Sequence, residues 1–366
     1  MRRDIRWLVP MIGVLSALGA IGCVAGAFIA PEALFRAWLC SYLFWLGVPF
    51  AGVTLVLVHD LSGGGWMATA RPTLNAAIAT IPLASLAGIP AFVDLNALYS
   101  WTHPAADLTN VFYLNPAAFF VRYAIYVTLW NLLAAYALFG PRAGGLPIAP
   151  ALSWISGVGL VVLALSASFA AIDWILSLEP KFWSSIFPYT QAASWFNTGM
   201  ALMVMVVAAI DWPAADGRAH MADLARILLA TTIFWAYVEF IQFLIIWEEN
   251  LRTEIPWYLK RFDSAWLPAT YVAAGLGFVV PFFVLLWAPS KRNRPVIVAV
   301  CICIFVSRIA NTWLLVMPEF NPPTPLWLDA AAWLALGGGI ALLFACGWRY
   351  AARLRRIGVT SWASNG

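Results

Sequence analysis

Residues 222–247 read ADLARILLATTIFWAYVEFIQFLIIW. As an α-helix this segment would extend about 39 Å, at 1.5 Å per residue. That exceeds the roughly 30 Å hydrocarbon core of a bilayer. Past Arg226 its single charge is Glu239. Such a run reads as a membrane span. An ionised side chain at mid-bilayer costs roughly 2.5–3.5 kcal/mol on insertion scales. The chain must pair such a group, hydrate it or use it.

The pattern recurs along the chain. Of 366 residues, 63% are hydrophobic and only 10% are charged, against about 25% charged in soluble domains. Windows of about 20 apolar residues predict ten helical spans, at 8–30, 38–59, 74–93, 117–139, 151–177, 190–210, 222–247, 267–288, 295–317 and 327–348. Each is expected to be helical, because backbone in lipid must satisfy its own hydrogen bonds. The fold class is therefore an all-α polytopic membrane protein, one integral domain over 1–366. Pro82 and Pro90 interrupt the third window and make it the least regular. A signal peptide competes for the first. Its length and the weak Ala25-Gly26-Ala27 cleavage pattern favour a span.

Ten spans put both termini on one side. Of the 21 Lys and Arg, Arg122 and Arg308 lie within spans, and Arg36, Lys181, Arg252, Lys260 and Arg261 lie in one set of loops. The other fourteen, from Arg2 to Arg356, fall at the termini and in the opposite loops. The positive-inside rule then places both termini in the cytoplasm. The external loops, 94–116, 178–189 and 248–266, are aromatic and carry Asp94, Asp107, Glu179, Glu248, Glu249, Glu254 and Asp263. They read either as a docking surface or as simple helix caps.

Cofactor chemistry is narrowed by what is scarce. The five cysteines, at 23, 40, 301, 303 and 346, form no CxxC pair, which argues against zinc and cysteine-ligated clusters. Of His59, His103 and His220, only His59 meets a span. A bis-histidine haem held by this chain alone is excluded. We expect no cofactor bound by this chain.

The polar residues in the spans are the candidates for function, as a proton path. Asp173 lies near the external end of span five, with Ser177 one turn on. It reads as a proton-handling acid or as an interfacial carboxylate paired with Arg122, at the external end of span four. Glu239 lies about 12 Å below the external interface, eight residues before Trp247, with Gln242 on its face. A carboxyl group away from water favours its proton-bound form, as a relay requires; a neutral inter-helix hydrogen bond is the alternative. Arg308 is central in span nine, with Asn311 and Thr312 on its face. It needs a counter-charge, and Glu239 matches it in depth. His59 and Asp60 close span two at the cytoplasmic end, before Leu61-Ser62-Gly63-Gly64-Gly65-Trp66. They read equally as a solvated helix end and as a proton entry. The glycines lack the Lys and Ser/Thr of a phosphate loop.

Several stretches resemble one family. AAIDWILSLEPKFWSS (170–185) and WAYVEFIQFLIIWEENLRTEIPWYLKR (235–261) are similar to the F subunit of bacterial alternative complex III, a quinol:cytochrome c oxidoreductase whose membrane subunits belong to the NrfD/PsrC-like group. SYLFW (41–45), HDLSGGGW (59–66), YLNPAAFFVR (113–122), PFFVLLWAPSKR (281–292) and SRIANTWLLVMPEF (307–320) add weaker matches. The resemblance implies ten helices, with spans two to five and six to nine forming two four-helix bundles and helices one and ten peripheral. It implies a bacterial inner-membrane subunit with no redox centre and a proposed proton path. The implied partners are a homologous quinol-binding membrane subunit, a periplasmic iron–sulfur subunit, c-type cytochrome subunits, lipids and a terminal oxidase. The c-type haems and iron–sulfur clusters then belong to other subunits.

The chain departs from that family at four places, one of them Glu248-Glu249, which stands where the family has a Ser-Gly-like pair. Asn311 stands where an acid commonly follows the arginine matched by Arg308. Glu239 stands where the family usually has a small or hydroxylic residue. Gly277-Phe278 occupies the region of a frequent histidine. One reading is that the carboxylate has moved from span nine to span seven and still serves Arg308. Two other functions compete: a quinone-binding anchor of a related oxidoreductase, using Asp173 and Arg122, and a secondary transporter with broken helices.

Overall fold

Long apolar segments fold here as the bilayer demands. The structure, a computed structural model, describes residues 8–103, 111–140, 153–209, 216–263 and 265–356. Among these residues there is no strand, and ten helical segments are long and apolar enough to cross a membrane. Arg2, Arg3, Arg6, Arg142 and Asp107 lie outside the described residues.

Span one is α1 (Leu8–Ile29). Span two joins α2 (Pro31–Trp45) to α3 (Gly47–Ser62), and span three joins α4 (Trp66–Ile78) to α5 (Ile81–Ala91). Spans four, five and six are α6 (Pro116–Phe139), α7 (Ser153–Trp174) and α8 (Phe187–Ala209). Span seven is α9 (Asp216–Glu249), followed by a short loop helix, α10 (Ile255–Phe262). Span eight runs through α11 (Leu267–Ala274), a π-helical turn and α12 (Val280–Leu286). Spans nine and ten are α13 (Arg294–Val316) and α14 (Leu326–Arg356).

Two boundaries differ from the sequence reading. Span two begins at Pro31 and runs 32 residues, about 48 Å, so its first turns lengthen the predicted window. A Glu32–Arg36 ion pair of 3.1 Å lies there, one turn apart. Span three begins at Trp66 rather than at 74. Gly63 and Gly64 adopt φ of +69° and +116°, a region costly for other residues, and this turn starts α4 at once. Arg71, counted above with loop charges, is thus inside α4, where it donates to the Ala137 carbonyl at 3.0 Å. Pro82 opens α5 rather than breaking it, since early helical N–H groups have no partner to lose.

The helices gather around two central ones. α3 packs on α4 and α7, and α8 packs on α9 and α13. α3 and α8 meet face to face, where Gly47, Ala51 and Gly199 let the backbones approach. Trp195 ties this crossing by donating to the Leu43 carbonyl at 2.6 Å. Spans two to five thus surround one seam and spans six to nine another. Outside them α1 and α14 pair closely, and α14 docks on α2 and α4. Gly19, Gly22 and Gly26 of α1 face Ala331, Leu334 and Leu328 of α14 with no room for a Cβ.

Three loops meet at one face. Lys260 after span seven reaches Glu179 after span five at 2.9 Å and Glu319 after span nine at 2.7 Å. Arg261 reaches Glu319 at 3.0 Å. Loops following odd-numbered spans lie on one side, as ten alternating crossings require.

Candidate polar sites within the membrane

In the first bundle, Arg122 and Tyr126 share one face of α6, a turn apart. Arg122 Nε donates to Asp173 Oδ2 at 2.8 Å, and the Tyr126 hydroxyl donates to the same oxygen at 2.7 Å. Arg122 Nη1 donates to the Tyr113 carbonyl at 3.0 Å, and the guanidinium stacks 4.0 Å from the Tyr113 ring. Asp173 is 1% exposed. Removing either partner of such a buried pair leaves an uncompensated charge. Ser177 Oγ donates to the backbone carbonyl of Asp173 at 2.5 Å, not to its carboxylate. It finishes the helix rather than joining the acid.

The other end of this bundle carries a second acid. Ser156 of α7 donates to Asp60 Oδ2 at 2.7 Å, and Ser156 Oγ lies 3.1 Å from the Tyr136 hydroxyl of α6. His59 Nε2 lies 3.1 Å from the Gly64 carbonyl, with its ring edge-on to Trp66. His59 and Asp60 are 1% and 4% exposed. They are therefore not a solvated helix end. The glycine turn folds over them and carries α4 and Trp66 across their face.

Between these ends lies a third polar level. Trp130 Nε1 donates to Ser166 Oγ at 2.9 Å, and Asn131 Nδ2 donates to Ser85 Oγ at 2.8 Å. A small void of about 10 Å³ touches Ser85 and Trp130, about the space of one water molecule. Along α7, Ser156, Ser166 and Asp173 mark the three levels. They span about 26 Å at 1.5 Å per residue.

The second bundle holds Glu239, Gln242, Arg308 and Asn311. No ion pair within 4.0 Å joins Glu239 to Arg308 among the described residues, so the direct pairing expected from depth is corrected. Trp235 stands between them. Its N–H donates to Glu239 Oε1 at 3.1 Å, and its ring face takes the Arg308 guanidinium at 3.2 Å. Each charge remains within electrostatic reach of the other. Arg308 is fully buried and donates through Nη2 to Ser307 Oγ at 2.9 Å. Ser307 in turn donates to the Ala273 carbonyl at 2.7 Å.

Span eight is shaped around Arg308 here. Gly277 sits in the π-helical turn Gly275–Val279, where Pro281 has no N–H to give the preceding turn. A Cβ at Gly277 would collide with Arg308 Nη2 and Ser307 Oγ. The space that a side chain would fill is used by the guanidinium.

Glu239 and Asn311 reach the wall of a cavity of about 590 Å³, together with Tyr258 and Arg261 of α10. Gln242 is 1% exposed and donates to the Tyr258 hydroxyl at 3.2 Å. Burial pushes Arg261 down to about 10, although Glu319 opposes this. Burial also acts to lower Lys260, but Glu319 and Glu179 outweigh it and hold the ammonium above its ordinary range.

The eight candidates thus divide. Arg122 with Asp173, and His59 with Asp60, line the first bundle; Glu239, Gln242, Arg308 and Asn311 belong to the second. Sequence reasoning passed over Tyr126, Tyr136, Ser156, Trp235 and Glu319, and also Asp329, to which Trp313 donates at 3.3 Å. Two of these were signalled by one-turn spacing, Arg122 to Tyr126 and Trp235 to Glu239.

No protein-family model matches the chain, and no curated protein matches it.

Proposed function

We propose that this chain is an integral membrane subunit of a quinol-oxidising respiratory complex of the alternative complex III type, and that its first bundle carries protons. The observation that carries this reading is the file of buried polar groups along α6 and α7. Asp60, Ser156 and Tyr136 form one end; Tyr126, Arg122 and Asp173 form the other. Trp130 and Ser166 lie between. Both ends hold a carboxylate already hydrogen-bonded to a hydroxyl, the group that can accept and pass on a proton. The levels are about 15 and 10 Å apart along α7, so protons cross between them on water. The sequence motifs supply the assignment to a complex. The charge bias supplies its orientation, with both termini cytoplasmic in a bacterial inner membrane and the Lys260–Glu179–Glu319 face periplasmic. That face is where an iron–sulfur subunit and c-type cytochromes dock.

The test is affinity purification of the tagged chain from its native membrane. Co-elution of c-type haem absorbance and quinol:cytochrome c reductase activity is expected. Isolation as a lone chain with solute transport overturns the reading. In vesicles, Asp60→Asn should lower protons moved per electron while quinol oxidation continues. Unchanged stoichiometry removes the proton path and leaves the subunit assignment to the purification.

A further inference from the structure

The second-bundle cavity of about 590 Å³ falls within the range of small-molecule sites, about 300–1,000 Å³. The polar groups on its inner wall already have partners. Glu239 takes hydrogen bonds from Trp235 and Asn311. Gln242 holds Tyr258 at 3.2 Å, and Thr270 donates to the Arg261 carbonyl at 3.0 Å. The Arg261 guanidinium is engaged by the Trp257 and Leu315 carbonyls and by Glu319. A polar head therefore gains little inside. The rest of the lining is aromatic and aliphatic, with Phe243, Ala274, Phe278 and Leu314. Ile233, Tyr237, Phe240 and Val279 border the mouth and are exposed on the outer surface of spans seven and eight. The cavity thus opens sideways to lipid. Along α9 it extends from Phe243 to Ile233, about 15 Å at 1.5 Å per residue. That is the depth of one leaflet of a roughly 30 Å hydrocarbon core. At the loop end α10 closes it with Trp257, Tyr258 and Phe262. An apolar wall holds water poorly, and a void forfeits the dispersion contacts of its lining. The material at hand is the hydrocarbon of the bilayer. A chain that enters leaves other chains behind, so van der Waals fit to the fixed wall decides how long it stays.

We propose that this cavity holds one acyl chain of a phospholipid from the leaflet on the α10 side, as a resident lipid rather than a passing one. The chain lies along α9, with its ester end beside α10 and its methyl end near Ile233. The headgroup stays outside the mouth. Lys260 and Arg261 are matched by Glu179 and Glu319, so α10 offers no unbalanced charge to choose a head. The site therefore selects chain length and not headgroup. It is separate from the Asp60–Asp173 file and stands whether or not that file moves protons.

The experiment uses the full chain as purified from its native membrane, with the subunits that accompany it. The probes are two eighteen-carbon phosphatidylcholines, one with a diazirine near the ester and one with it near the methyl end of a chain. Each is loaded in nanodiscs, the protein is washed in detergent to strip loosely held lipid, and the retained probe is then photolysed. The deep diazirine should label within 233–237 and 278–279, and the shallow one within 240–243 and 257–262. Excess eighteen-carbon phosphatidylglycerol and phosphatidylcholine should displace the probe equally. Ten-carbon phosphatidylcholine should do so at least threefold less well. Ala274→Phe, which fills the cavity, should cut labelling at least tenfold. Leu165→Phe, at an exposed position of α7, should not. Should Ala274→Phe fail to assemble, Val279→Trp at the mouth decides, with at least a threefold loss expected. No retained label in these segments, the same peptides from both probes, displacement that follows the head rather than the chain, or undiminished labelling in the deciding variant overturns the proposal.

Discussion

Gly277→Ala should destabilise the protein, whereas Gly275→Ala in the same π-helical turn should not. The two glycines share a backbone setting and differ in what surrounds them. A Cβ at Gly275 meets nothing within 4 Å. There the change only restricts the unfolded chain and should gain roughly 0.5–1 kcal/mol. A Cβ at Gly277 meets Arg308 Nη2, Ser307 Oγ and, at 3.1 Å, the Trp235 ring. The same gain applies, but something must move. Shifting Ser307 breaks its bond to the Ala273 carbonyl. Moving Arg308 gives up a charge-assisted hydrogen bond of roughly 1.5–3 kcal/mol and part of a desolvated cation–π contact of about 2 kcal/mol. If the core strains instead, overpacking costs about 1–3 kcal/mol. Taking the glycine gain off the overpacking cost leaves a net loss of about 0–2.5 kcal/mol, centred near 1 kcal/mol. Equilibrium unfolding of the two variants in mixed detergent–SDS micelles measures it. A Gly277→Ala protein as stable as Gly275→Ala would refute the crowding of Arg308 against span eight.

Three further outcomes follow from the same geometry. Asp173→Asn and Arg122→Gln should each cost about 2–4 kcal/mol, below the full range for buried pairs because Arg122 keeps some exposure. A double-mutant cycle on thermal unfolding should show coupling of about 1–3 kcal/mol between them, and additive losses would count against the pair. Trp235→Phe keeps a ring under Arg308 and loses only the donor to Glu239, so it should cost about 1–2 kcal/mol. Trp235→Leu loses the cation–π contact as well and should cost about 2 kcal/mol more; equal losses in chemical denaturation would exclude Trp235 as the bridge. For Lys260 the folded pKa lies above the unfolded one, so its contribution is complete below about pH 10.4 and is lost as pH rises through the folded value. Arg261, pushed down to about 10, also stays charged at lower pH. Hydrogen exchange of residues 255–262, corrected for intrinsic rates, should be flat between about pH 6 and pH 9. Loosening inside that window would rule out Lys260 and Arg261 as the cations that hold α10.

The spans were legible because lipid imposes one rule on every residue of a helix. The Arg122–Asp173 pair was legible because both lie at the same depth on neighbouring spans. Depth failed for Glu239 and Arg308, which it brings level without showing that Trp235 stands between them. It also failed for His59 and Asp60, whose burial depends on the turn at Gly63 and Gly64 folding α4 over them. Lys260, Arg261, Glu179 and Glu319 come from three loops far apart in sequence, and only the alternation of crossings brings them to one face. The cavity was invisible beforehand, since its aromatic residues have the composition of any membrane core.

The clasp between α1 and α14 bears on how the chain is made. The face of α1 that carries Gly19, Gly22 and Gly26 finds its partner at Leu328 to Leu334. A ribosome adding about 5–20 residues per second needs roughly 15–60 s to bridge that interval. For that time α1 stands in lipid with a flat, small-residue strip and nothing to lay it against. Any other helix with small residues at the same spacing would compete for it. Assembly of this protein is thus a problem of waiting as well as of packing, and an insertase or a neighbouring subunit that shields α1 would raise the yield of correctly closed chains.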